Sequence, residues 1–209
     1  VVSGFEAVDG ALFVVDASGS VDAGLEKAVG LGRSTGTAAC FVINRCDREN
    51  ANPTATLEAL RATFGNKVAP LQIAIGGGTT FTGYVDLVHR KAWKVDGGKE
   101  VEMPIPAELA DEVALRRDQL LEAASEADDE VLTKYLDGEE ITDAELDACL
   151  HKGVRESILA PVLVASAVKG IGMRGLLDAL TRYLPSPNEE KPVAAGDGKG
   201  GTVQVAPDP

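Results

Sequence analysis

Three stretches of the chain are apolar at nearly every position and end on polar residues. They are ALFVVDA at 11–17, AACFVIN at 38–44 and APVLVASA at 160–167. Short continuous apolar runs, rather than alternating ones, predict strands buried on both faces of a parallel sheet. Between and after them the period lengthens to that of a helix. A helix is predicted from about Val21 to Leu31. Pro53 opens a second, with Leu57, Leu60 and Phe64 at helical spacing, and a third runs from about Met173 to Tyr183. Strand alternating with helix predicts an α/β fold with a parallel sheet and helices on both of its faces.

The second and third apolar runs are separated by far more chain than the dozen or so residues a parallel crossover needs. Residues 66–153 also differ in texture. Val68 to Ile75 reads as one strand. Tyr84 to Val95 and Glu100 to Ile105 are expected to pair antiparallel across a turn at Asp96-Gly97. Ala107 to Ala127 reads as a strongly charged amphipathic helix. Thr142 and Glu145 have capping-box spacing, which starts another helix. The segment is expected to be an inserted α+β subdomain. After Leu184, five prolines and four glycines with no helical period predict a linker or the frayed start of a further domain.

Composition narrows the function classes. The chain has 209 residues and is 44% hydrophobic and 25% charged, with aromatics at only 4%, so its core must be mostly aliphatic. A net charge of -13 speaks against a sequence-specific DNA binder, which needs a basic face, yet leaves room for a nucleotide held by a few local groups. No run is long and apolar enough to span a bilayer, so no membrane partner is expected. Cys40, Cys46 and Cys149 have neither CxxC nor metal spacing and read as reduced thiols of a cytoplasmic protein. His89 and His151 read as ordinary structural histidines. The chain opens on Val1-Val2 without Met, which suggests a piece of a longer protein.

Two of the strands end in unusual clusters: Asn44-Arg45-Cys46-Asp47 and Ser166-Ala167-Val168-Lys169. In an open parallel sheet, ligands sit beyond the carboxyl ends of the strands. A guanine placed there offers two adjacent donors, its N1–H and its exocyclic amino group. An ionised Asp47 takes both as a charge-assisted pair, whereas adenine would set acceptor against acceptor. Asn44 is suited to hold N7 and to tie the two loops together. The Ala167 N–H is placed to donate to O6, with Ser166 shaping its loop. Arg45 and Lys169 have long stems to cover the two faces of the base while their charges reach water. Taken singly, each cluster is also what an ordinary strand-end turn looks like; the pair in this order is far more specific.

NRCD resembles the NKxD guanine-specificity motif of translational GTPases, and SAVK their SAxK motif. DGALFVVDA, FTGYVDLVHRKAW, MPIPAELADEV, YLDGEEIT and LLDALTRYLPSP resemble elongation factor G, from residue 5 to about 187. The resemblance implies a partial P-loop-NTPase-type sheet, with residues 1–65 as the second part of the GTPase core, 66–153 as an inserted subdomain, 154–185 as the end of the core and 186–209 as a linker. It also implies GTP or GDP as ligand, and the ribosome and its stalk protein as partners. Two departures lean toward an elongation-factor-G-like paralogue: Arg45 stands where the family usually has Lys, and VDAGLEKA where a Pro-Gln-Thr-like segment is usual.

The chain has no GxxxxGK[ST] loop to cradle phosphates and Mg²⁺. Gly76-Gly77-Gly78 is followed by neither Lys-Ser/Thr nor a helical pattern and reads as a turn. The expected catalytic residue and the Mg²⁺ ligands therefore lie outside this chain, and alone it is expected to bind GTP weakly and not to hydrolyse it. The alternative is a non-catalytic module that binds the ribosome or its stalk protein, with the insertion as the contact surface.

Overall fold

The computed structural model describes residues 2–19, 21–189, 193–196, 198 and 201–205. A short helix α1 (Val2–Phe5) leads into strand β1 (Gly10–Asp16), helix α2 (Ala23–Thr35) and strand β2 (Ala38–Asn44). Helix α3 (Pro53–Phe64) is followed by β3 (Val68–Pro70), β4 (Gln72–Ile75), β5 (Gly83–Asp86), β6 (Lys91–Asp96) and β7 (Lys99–Met103). Three helices come next, α4 (Ala110–Ser125), α5 (Asp129–Leu136) and α6 (Asp143–Arg155). Strand β8 (Ala160–Val164), helix α7 (Met173–Tyr183) and a hairpin of β9 (Val193–Gly196) and β10 (Thr202–Val205) follow.

Strands β1, β2, β8 and β3 form a parallel sheet in that order. The central two are buried almost throughout, as their unbroken apolar runs predict. On one face, Phe13, Phe41 and Phe64 pack ring to ring, each neighbouring pair 5.5 Å between centroids, with Leu57 and Leu60 of α3 and Val29 of α2. On the other face, Cys40, Val42, Leu163 and Ala165 meet Leu176 and Met173 of α7. The fold is thus α/β, with helices on both faces of a parallel sheet.

Strands β4 to β7 form a separate antiparallel sheet in sequence order. Helices α4, α5 and α6 share a core with it through Leu120, Ala124, Leu146, Leu150, Ile73, Val85 and Leu87. The predicted strand Val68 to Ile75 is in fact split between the sheets. Val68–Pro70 pairs with β8, and after Leu71 the chain turns to pair with β5. Pro70 has no N–H for a continuing ladder, and the bend comes directly after it. Tyr84 to Val95 is likewise two strands, because the chain reverses at 87–90 with Arg90 at φ 56°. The hairpin across Gly97 and Gly98 forms as the turn signal predicts, both glycines at positive φ.

Helix boundaries follow local chemistry. Asp22 accepts the Leu25 N–H at 2.8 Å and caps α2, which runs four residues past the expected end to Gly36 at φ 76°. Thr142 and Glu145 close the predicted capping box. Helix α5 has no counterpart in the sequence reading; Asp128 caps it, and at eight residues it is too short to show a clear period. In the segment after Leu184, expected as a linker or the frayed start of a further domain, Val193–Gly196 and Thr202–Val205 pair antiparallel.

Candidate functional site

Parallel pairing in register brings three strand tips together. Asp16 lies opposite Asn44, and Ile43 opposite Val164, so the loops after β1, β2 and β8 emerge side by side. Backbone bonds seal the edge. Ala17 N–H donates to the Asn44 carbonyl at 2.9 Å, Ala165 N–H to Ile43 at 2.8 Å, and Cys46 N–H to Ala165 at 3.2 Å. The NRCD and SAVK clusters therefore share one rim, as neighbouring strands require.

Asn44 links the two loops. Its Oδ1 accepts the Arg45 N–H at 2.8 Å and the Ala167 N–H at 3.1 Å. The Ala167 N–H, expected to face a ligand carbonyl, is thus directed at Asn44 in this structure. Arg45 stands at φ 61°, a left-handed conformation unusual for a long side chain. Its guanidinium donates to Asp16 Oδ2 at 2.7 Å. Asp16 also accepts from the N–H and hydroxyl of Ser18, and these bonds together with Arg45 hold its carboxyl well below the usual carboxylate range.

Asp47 is half-buried. Hydrogen bonding from Ser166 is the chief cause that holds its carboxyl below the ordinary range, and the Lys169 and Arg48 charges add to it. Yet Oδ1 of Asp47 is shut from solvent and has no hydrogen-bond partner among the described residues. A carboxylate oxygen buried without a donor is costly. Ser166 is fully buried, and its hydroxyl accepts the Lys169 N–H at 3.2 Å. Ala167, Val168 and Lys169 are exposed. Reciprocal backbone bonds between Ser166 and Ile171 close the loop that carries them.

Cys46 is fully buried with its thiol directed to the Ile43 carbonyl, and burial pushes its pKa up to about 12. It is a packed spacer, not a nucleophile. Two supports escaped the sequence reading. Asp16 anchors Arg45 and was visible only as the last polar residue of its strand. Gly78 donates its N–H to the Cys46 carbonyl at 2.9 Å, and a Cβ there would lie 3.1 Å from the Arg48 and Glu49 carbonyls. The triple-glycine turn thus braces the NRCD loop from below. Among the described residues no group of three metal-ligating side chains stands together.

The family profile described as "Elongation factor Tu GTP binding domain" matches residues 1–186. This chain belongs to that family. Elongation factor G of Mycoplasma pneumoniae is 35% identical over 183 residues, 86% of this chain and 27% of that protein. Elongation factor G of Ureaplasma parvum serovar 3 is 32% identical over 205 residues, 97% of this chain and 30% of that protein. A Thermus thermophilus protein of known crystal structure superposes with a TM-score of 0.82 at 34% identity, over 92% of this chain and 30% of that one. The chain therefore spans less than a third of the length of these relatives.

Proposed function

We propose that this chain is the guanine-reading part of a ribosome-associated translational GTPase of the elongation factor G type. The observation that carries the reading is the meeting of Asn44, Asp47, Ser166 and Ala167 at one rim, with Asn44 joining the two loops. Asp47 would take the guanine N1–H and amino group. Asn44 would hold N7 while it ties the loops, and the stems of Arg45 and Lys169 would cover the ring faces. Asp16 would keep the Arg45 head in place. The phosphate loop, the Mg²⁺ ligands and the catalytic residue would lie outside these residues, with 66–153 as an inserted subdomain on the GTPase core. In the parent protein, hydrolysis of GTP would drive a conformational step of protein synthesis in the cytoplasm. The isolated chain would bind GTP weakly, since much of the affinity comes from phosphates and Mg²⁺.

Asp47→Asn in the full-length protein tests the base assignment. Asparagine offers a donor where guanine needs an acceptor, whereas the extra carbonyl of xanthine would accept it. GTP affinity should fall by about a hundredfold or more and XTP affinity should rise. An unchanged preference for GTP in competition binding would refute the role of Asp47.

A second reading, a docking module, is favoured by helix α4. Asp111, Leu115, Asp118 and Glu122 follow helical spacing and are all exposed or partly so, Leu115 at 55%. The basic residues of the helix point elsewhere. Arg116 is 5% exposed and pairs with Glu58 of α3, and Arg117 donates to the Val88 carbonyl at 2.8 Å. The face left to solvent is acidic with an apolar centre, and there the ribosomal stalk protein that the resemblance implies would dock. The two readings are compatible. Leu115→Asp should weaken stalk-protein binding in a pull-down and leave nucleotide affinity alone.

A further inference from the structure

The loop Ser166–Ile171 is gripped at both stems by side chains of the antiparallel sheet. At the first stem, Ala165 uses its N–H on β2, so the Val164 N–H faces the β3 side. There β3 has already ended, and the amide of Gln72 takes its place: Oε1 accepts the Val164 N–H at 3.3 Å. Gln72 is 5% exposed. At the second stem, α7 is preceded by Gly172, which has no side chain to cap it, and the first turn contains no acidic residue. A helix start leaves unpaired N–H groups and a positive end of the dipole. Glu100, on β7, supplies what the local sequence lacks. Its Oε1 accepts the Gly172 N–H at 2.8 Å, and its Oε2 accepts the hydroxyl of Tyr84 at 3.0 Å.

Other contacts make this seat specific. A Cβ on Gly175 would come within 2.4 Å of Gln72 Nε2 and 2.8 Å of the Tyr84 hydroxyl, so the first turn of α7 rests on both residues. Arg174 lies over the Trp93 ring of β6, 5.6 Å from its centroid. Gly172 itself is at φ 78°, and a Cβ there would strike the Val164 carbonyl at 2.3 Å, so the loop closes onto its own stem.

We propose that Glu100, held by Tyr84, is a positioning residue for the base site: through it the antiparallel sheet sets the loop that carries Ser166, Ala167 and Lys169. The inference rests on the guanine-reading assignment above. It gives the sheet of residues 72–103 a means of altering nucleotide release without touching nucleotide. Burial raises the Tyr84 pKa, so its hydroxyl remains a donor to Glu100 across the working pH range.

The test is the release rate of a fluorescent GDP analogue from the full-length protein. Glu100→Ala leaves the Gly172 N–H without its acceptor and should speed release about tenfold. Glu100→Gln keeps an oxygen for Gly172 and should stay within about threefold of wild type. That rescue separates positioning from mere bulk. If Glu100→Ala lowers the melting temperature but leaves release at the wild-type rate, the residue is only structural and the proposal falls. Should Glu100→Ala fail to fold, Tyr84→Phe carries the test: release a few times faster supports the proposal, and an unchanged rate overturns it. Asp47→Asn is measured in parallel. A switch toward xanthine nucleotides with unaltered release in Glu100→Ala sinks this inference alone, whereas no switch sinks the base-site reading first.

Discussion

Asp47 and Cys46 are adjacent, yet the fold treats them in opposite ways. The Cys46 side chain turns into the core, and burial there raises its thiol to about 12. Asp47 remains half-exposed, and hydrogen bonding from Ser166 is the chief cause that holds its carboxyl below the ordinary range. At mild alkaline pH Cys46 should therefore resist thiol reagents for as long as the protein is folded. Cys40 and Cys149 are also buried and raised by burial. Titration with a chromogenic disulfide should find almost no fast thiol in native protein and all of Cys40, Cys46 and Cys149 after denaturation; rapid native labelling of Cys46 would contradict the packing described. Of the residues at the rim, Asn44, Asp47 and Ser166 were legible as polar residues that close apolar strands. The role of Asp16 was not, because a lone aspartate closing a strand looks like any other turn residue.

At the scale of elements, the best-read segments are those whose signal is local. β2 and α7 have the predicted bounds because each is a clean apolar run or period between turn residues. The capping box of α6 is local too. Removing it with Thr142→Ala should cost about 1 kcal/mol in urea unfolding, since one helix N–H loses its acceptor and Glu145 its anchor. A loss near zero would mean that packing of Leu146 and Leu150 alone fixes the start of the helix. The split of 68–75 between two sheets was not legible. Every residue there suits a strand, and only the position of β8 decides where pairing with one sheet stops and the other begins. Helix α4 shows the same limit. Its charges suggest a solvated face, but Arg116 is buried against α3, a fact that belongs to the partner helix rather than to α4.

For the whole molecule, charge sets the response to acid. Asp16 and Asp47 are held below their ordinary range, and Glu145, bonded to Lys134 and Thr142, is pushed down to about 2. Such groups bind protons more readily when unfolded, so their stabilisation is complete above the unfolded carboxylate range, near pH 4. It is lost as pH falls through the lower folded values. Stability followed by circular dichroism should hold from pH 7 to about 5 and then decline toward pH 2. A protein most stable near pH 3 would contradict these pairings. The sequence by itself determined the alternation of buried strands and helices, the antiparallel character of the insertion and the two polar clusters at strand ends, because period, turn chemistry and side-chain type are local properties. Tertiary structure alone decided that those clusters share a rim, that Asp16 holds Arg45, and that Gln72 and Glu100 brace the loop from 92 and 72 residues away. Those contacts depend on which strands become neighbours, and no stretch of sequence carries that information on its own.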